Sequence, residues 1–156
     1  MGKYGSKRKL TVEECLDLDI SELVKAGALK DPPGKPWVLR WPTQENPRIS
    51  RFKMENCGKD IRLSYAVVNN VSRRMDHMDY AVGIVRTPCH FGGSRRWFLC
   101  PFPKEGRPCG RRVGKLYLLP GGKYFGCRQC HNLAYQSQRE SWRVPRNLWK
   151  LLTKHA

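Results

Sequence analysis

Residues 100–110 read Cys100-Pro101-Phe102-Pro103-Lys104-Glu105-Gly106-Arg107-Pro108-Cys109-Gly110, and residues 127–130 read Cys127-Arg128-Gln129-Cys130. Between Cys109 and Cys127 lie 17 residues, a spacing that suits two ligand pairs closing on one metal ion. Four thiolates surround one tetrahedral cation, and an all-sulfur tetrahedral site favours zinc. The separating segment supports the pairing. Residues 112–118 read as a strand, Leu119-Pro120-Gly121-Gly122 as a turn, and residues 123–126 as a returning strand. Residues 131–140 have helical composition and no breaker, so the predicted module is a treble clef or zinc ribbon with its second ligand pair opening a helix. The eight residues between Cys100 and Cys109 exceed the two to four of an ordinary knuckle, and their Pro/Gly-rich polar composition predicts a loop. Cys89, His90 and His131 stay open as substitutes for one ligand. Cys15 and Cys57 have no partner at ligand spacing and read as ordinary thiols.

The run Thr87-Pro88-Cys89-His90-Phe91-Gly92-Gly93-Ser94-Arg95-Arg96-Trp97-Phe98-Leu99-Cys100-Pro101, followed by Cys109-Gly110-Arg111-Arg112-Val113, Leu116-Tyr117-Leu118 and residues 124–140, resembles a family of uncharacterised bacterial zinc-ribbon proteins. Such proteins occur on chromosomes and on mobile elements. The resemblance spans about half the chain, with weaker echoes in residues 10–29. It implies a zinc site and carries no enzymatic activity with it. The family's first pair is usually a tight Cys-Pro-x-Cys-Gly knuckle, so the long insert here is a departure that bears on the second ligand.

Seven cysteines, an odd number, without an export signal argue against a disulfide framework. The basic stretch at residues 1–10 lacks a following apolar run and a cleavage site, so the expectation is a soluble cytoplasmic protein with no membrane partner. Lys plus Arg number 30 against 13 acidic residues, for a net charge of +17. Residues 1–78 hold 15 basic and 10 acidic side chains, whereas residues 79–156 hold 15 basic and only Asp79, Glu105 and Glu140 as carboxylates. That scarcity disfavours a two-metal phosphodiester centre. No His-x-Glu, His-Glu-x-x-His or P-loop motif is present, and Cys89 and His90 are sequence neighbours, which does not orient one to deprotonate the other. The chain reads as non-catalytic, with a structural Zn2+ as its cofactor.

Toward the N-terminus, Thr11 with Glu14 forms a capping-box signature and Asp19 with Glu22 a second one, stopped by Gly27. These predict a short helix pair within a first segment, residues 1–31, that also carries a basic arm. A second segment, residues 32–96, reads as an extended Pro/Trp-rich connector with Trp37 and Trp41, then strands over 49–54, 61–68 and 78–86. Ile61, Leu63, Tyr65 and Val67 fall on one face, as do Met78, Tyr80, Val82 and Ile84. Residues 95–99 extend that sheet into the third segment, the zinc module of residues 97–140. Residues 141–156 close the chain as a basic amphipathic helix starting at Pro145. The expected fold class is α+β: a small antiparallel sheet, N-terminal helices, the zinc module and C-terminal basic helices.

Cations around the module define a candidate nucleic-acid surface: Arg95, Arg96, Arg111, Arg112, Lys115, Lys123, Arg128, Arg139, Arg143, Arg146 and Lys150, interleaved with Trp97, Tyr117, Tyr124 and Phe125. Trp97 and Phe125 are the rings expected to fill the core. The expected function is a nucleic-acid-binding accessory protein, for DNA or RNA. The alternative is an adaptor or mobile-element inhibitor docking on a nucleic-acid-processing or defence complex through the acidic residues 13–22 and the Trp37 region.

Overall fold

The capping box at Thr11 forms, with the Glu14 carboxylate accepting from the Thr11 N–H at 2.8 Å and from its hydroxyl at 3.1 Å, yet it opens only one 3-10 turn, Val12–Glu14. The next four residues alternate apolar and acidic, and alternation is the period of a strand. They form β1, Leu16–Asp19, with both leucines buried and Asp17 exposed. Asp19 then accepts from the Ser21 N–H at 2.8 Å and caps α1, Ile20–Lys25, which ends where Gly27 takes a φ of 79°. These are the first elements of a computed structural model that describes residues 8–30, 36–38, 49–69 and 71–140.

The remaining strands are β2 (Trp37–Val38), β3 (Ile49–Asn56), β4 (Asp60–Val68), β5 (Met75–Pro88), β6 (Ser94–Leu99), β7 (Pro103–Lys104), β8 (Arg107–Pro108), β9 (Arg112–Val113) and β10 (Lys115–Leu118), and α2 covers Gln136–Glu140. Six of them make an antiparallel sheet in the order β2-β3-β4-β5-β6-β9, while β1 pairs with β10 and β7 with β8. One extra residue in β3, between Ser50 and Lys53, bulges against β4. The strand β5 serves two neighbours in turn: residues 75–83 pair with β4 and residues 84–88 with β6.

The architecture is mainly β, which corrects the expected α+β class. Among the described residues there are two α-helices, of six and five residues, and neither forms the layer the sequence suggested. The helix expected from Thr11 yields to β1 because β10 offers Leu16 and Leu18 a partner strand, with Leu16 opposite Leu118 and Leu18 opposite Leu116. The helix expected over 131–140 starts only at Gln136. Asn132 has a φ of 50°, and the Leu133 N–H reaches the Arg128 carbonyl. Ala134 pairs instead with Leu10 and Val12. Residues 123–126 form no regular strand, only a bridge of Gly126 to Tyr117. The basic arm at residues 1–7, Trp41 and the basic helix at 141–156 lie outside the described residues.

Alternation in β4 buries Ile61, Leu63, Tyr65 and Val67, and the same cluster takes in Phe52, Met54, Met78, Val82 and Phe98 from the sheet. Leu16, Leu18, Ile20 and Leu23 join it from the N-terminal segment, and Leu116, Leu118, Phe125, Cys100 and Cys127 from the cysteine region. Phe125, with no exposed surface, is the wedge between them: its ring meets Phe52 at 5.9 Å and Tyr65 at 5.7 Å, both edge-on. Two phenols fix the backbone around it. The Tyr65 hydroxyl donates to the Lys123 carbonyl at 2.5 Å and lies 2.7 Å from the Tyr80 hydroxyl, which accepts from the Phe125 N–H at 3.0 Å. Burial pushes both phenols up, Tyr80 to about 12, so both remain donors in any ordinary buffer.

Because Phe125 belongs to one cluster with the sheet, Phe125→Ala should lower stability by about 3–5 kcal/mol. Tyr65→Phe, which strands the Lys123 carbonyl, should lower it by about 1–3 kcal/mol. Denaturant unfolding followed by tryptophan fluorescence and by far-UV circular dichroism checks this. The two signals should move together in each variant, and a separate unfolding step for the cysteine region would contradict the shared core.

Candidate metal centre

The eight residues between Cys100 and Cys109 are a hairpin and not an irregular loop. Lys104 pairs with Arg107 and Pro103 with Pro108. Between them Glu105 and Gly106 take φ values of 52° and 79°, the left-handed pair that a two-residue hairpin turn needs. Below the hairpin the Cys109 N–H reaches the Phe102 carbonyl at 2.9 Å and the Gly110 N–H the Cys100 carbonyl at 3.0 Å. The insert therefore leaves the two thiols at its base as close as a short knuckle would.

The second pair is held by the turn it makes. The His131 N–H donates to the Cys127 carbonyl at 3.2 Å and the Cys130 N–H to the Cys127 Sγ at 3.4 Å. Across the pairs, the Cys127 N–H donates to the Cys100 Sγ at 3.2 Å. The four sulfurs of Cys100, Cys109, Cys127 and Cys130 lie within 4.8 Å of one another, and Cys100 and Cys130 are 4.0 Å apart. A regular tetrahedron with metal–sulfur bonds of about 2.3 Å has edges of roughly 3.8 Å, so the cluster is close enough to hold one metal ion. Gly126 lets the chain pass at the needed distance, since a Cβ there would sit 2.8 Å from the His131 Nε2 and 3.0 Å from Phe102.

Electrostatics alone oppose four thiolates in so small a space. Burial pushes Cys100 up to about 11, and burial with hydrogen bonds to Cys109 and Cys127 pushes Cys130 up as well. Cys127 is also raised by burial, but the Cys130 N–H and the neighbouring thiols donate to it and hold it below the ordinary thiol value. A divalent cation reverses that balance, because a coordinating thiol is deprotonated outright.

The alternatives left open by the sequence separate cleanly. Cys89 and His90 stand exposed at the β5–β6 turn, and His131 packs edge-on against Phe102 with ring centroids 4.8 Å apart, so none belongs to the cluster. Burial keeps the His131 imidazole below its ordinary pKa. Cys15 donates to the Thr11 carbonyl at 3.5 Å, and Cys57 is exposed in the β3–β4 turn.

The candidate cations fall into two groups. Lys115 is engaged by Asp17 and Asp19 at 3.4 and 3.3 Å, and Lys123 by Asp76 at 2.8 Å. Arg128 lies over the Tyr135 ring at 5.0 Å and donates to the Leu133 carbonyl. Arg95 lies over the Trp97 ring at 4.2 Å with Arg96 beside it on β6, while Arg111 and Arg112 stand at the Leu99–Cys100 end of that strand. Phe125 fills the core as expected, whereas Trp97 is only half-buried. Arg139 sits in α2, its side chain outside the described residues, as are Arg143, Arg146 and Lys150. The sequence reading missed Arg86 on β5 and Lys104, which pairs with Arg107 on the hairpin between Cys100 and Cys109. The signal was there: no carboxylate occurs between Asp79 and Glu105.

Comparison with protein-family models, curated proteins and solved structures returned no match. Among the described residues no helix is long and apolar enough to cross a membrane.

Cys127→Ser should abolish retention of a tightly bound metal ion and lower the melting temperature of the whole fold. Cys89→Ser should leave metal content and melting temperature unchanged. Metal-to-protein ratios after gel filtration, together with thermal melts, check both. Metal retained by the first variant or lost by the second would place the site elsewhere.

Proposed function

We propose that this chain is a zinc-stabilised, non-catalytic protein that binds nucleic acid through the cations of β6, β9 and the cysteine hairpin. The carrying observation is how its charges are partnered. Arg8, Lys25, Lys53, Arg62, Lys115 and Lys123 each meet a carboxylate of the chain itself. Among the described residues Arg95, Arg96, Lys104, Arg107, Arg111 and Arg112 make no ion pair, and they lie on β6, on β9 or in the segments flanking the cysteines. Unpaired, mostly exposed cations on adjoining strands neutralise phosphate and release its counterions.

Zinc is the metal that a buried all-thiolate site of this size suits best, and the resemblance to bacterial zinc-ribbon proteins points the same way. Its role is structural. Four protein ligands leave no open position for water, and the thiolates would otherwise repel. Binding free energy of that kind is folding free energy, on the order of 10 kcal/mol for structural zinc in small peptides. The acidic residues 13–22 serve the chain's own groups: Glu14 pairs with Arg8, Asp17 and Asp19 with Lys115, and Glu22 with Lys25, while Glu13 accepts from the Gln136 N–H at 3.1 Å.

Fluorescence anisotropy with labelled oligonucleotides over a salt series tests the reading. If about six cations meet phosphates, log K should fall against log salt with a slope near −5, on the order of a thousandfold between 50 and 200 mM. Arg111→Ala with Arg112→Ala should reduce the slope by about two without changing metal content. Salt-independent binding, or no binding to any oligonucleotide, would refute the proposal.

A further inference from the structure

Past residue 84, β5 has no strand partner on its β4 side among the described residues. The last paired residues there are Asp60 and Gly83, followed by one hydrogen bond from the Ile84 N–H to the Lys59 carbonyl. On the other side, β6 meets β9 only at Phe98 and Leu99. Among the described residues, 85–88 and 94–97 are therefore paired in the sheet only with each other. They form a two-stranded ribbon that runs roughly 14 Å beyond the β3–β4 turn, at about 3.4 Å per residue. Its base leans on α1 and is anchored by fully buried Phe98. One face is stiffened by its own side chains, the Trp97 Nε1 donating to the Thr87 hydroxyl at 2.8 Å under the Arg95 guanidinium. Arg86 and Arg96 lie opposite each other on the other face.

The tip is Cys89-His90-Phe91-Gly92-Gly93. The Gly92 N–H closes a turn on the Cys89 carbonyl at 3.2 Å, the Cys89 N–H reaches the Gly93 carbonyl at 3.0 Å, and both glycines have positive φ. Glycine supplies all that this turn requires, so the aromatic ring beside it has no role in the fold. Phe91 is 99% exposed, with only the His90 ring near it at 5.1 Å.

We propose that the β5–β6 ribbon is an arm that enters the minor groove of duplex DNA, with Phe91 wedging between adjacent base pairs. This rests on the nucleic-acid reading above and adds its mode. The choice of partner follows from charge and shape. The arm carries Arg95, Arg96 and His90, and the 25 residues 80–104 contain no carboxylate, so a polyanion is its complement. A ribbon is wider than the ~6 Å minor groove of B-form DNA, and apolar wedges that part a base step kink the duplex toward the major groove and open that path. Duplex RNA offers no such path, its major groove being too deep and narrow for side chains to read and its minor groove wide and shallow.

A short duplex carrying donor and acceptor dyes at its two ends, titrated with the metal-loaded full chain, reads both affinity and bend. Wild type should bring the ends together, consistent with a kink of about 20–90°. Phe91→Ala should abolish the bend and weaken binding about tenfold while leaving the salt slope intact, and Phe91→Trp should restore both. Arg95→Ala and Arg96→Ala should each lower the salt slope by about one. A minor-groove ligand such as netropsin should compete. If wild type binds DNA with the expected salt slope but Phe91→Ala bends it equally, or netropsin does not compete, the arm is wrong and the nucleic-acid reading stands. If wild type prefers duplex RNA or single strands to duplex DNA, the arm is likewise overturned. If it binds no nucleic acid, both fall together.

Discussion

The hydrogen bond from the Cys127 N–H to the Cys100 Sγ joins two parts of the chain that 26 residues separate, and both sulfurs are almost wholly buried. Everything on either side of that contact is short. The hairpins at 103–108 and the turn at 127–130 are too small to persist alone, because two-stranded hairpins are marginal in water without a covering layer. They persist here because each is closed at its base by a pair of thiols and because Cys100 and Cys127 are members of the same apolar cluster as the sheet. Buried thiolates without a cation carry a desolvation penalty, and each neighbouring thiolate adds repulsion to it. A site of this kind thus couples metal occupancy to the packing of the whole core.

That coupling has a direction along the chain. β6 leaves the arm at Ser94, passes half-buried Trp97 and buried Phe98, and ends one residue before Cys100. Buried Cys100 consequently fixes the end of the strand whose other end carries the arm. The tyrosine pair does the same for the return: Tyr65 and Tyr80 hold the backbone at 123–125, two residues before Cys127, against the middle of the sheet. Between these anchors the chain has little freedom to shift register, since moving β6 by one residue would turn Phe98 out of the core and Trp97 into it.

Period-2 alternation made β4 and much of β5 legible, since the residues picked for their inner faces are the ones that line the core. The four cysteines were legible from spacing alone, because a tetrahedral site needs two close pairs and a connection long enough to return. What misled was helical vocabulary at both ends. Thr11 with Glu14 is a genuine cap, but a cap states how a turn begins and not how long it runs. Leu16 to Asp19 then answer to β10, a partner 98 residues away that no local window includes. Residues 131–135 look helical by composition, and their path is set instead by Asn132 in the left-handed region and by pairing with Leu10 and Val12. The Cys100–Cys109 insert was misread because prolines suggest a loop, yet Pro103 and Pro108 sit opposite each other on a short isolated hairpin, where proline is tolerated.

Charge placement follows the same logic as the packing. In the N-terminal half and on β4–β5, Arg8, Lys25, Lys53 and Arg62 each meet a carboxylate of the same surface, so that part of the molecule offers fewer unpaired cations to an approaching polyanion. β6 and the cysteine hairpins have no such partners, and cations standing this close on adjoining strands repel one another. The fold tolerates that repulsion because the strands bearing it are tied to the buried thiols and to Phe98, which hold the cations at fixed spacing when no polyanion is near. A polyanion seated there would relieve the repulsion at cations already held in place, and little ordering entropy would oppose it. A metal held by the four thiols would supply the rigidity that lets such a cationic surface remain unpaired.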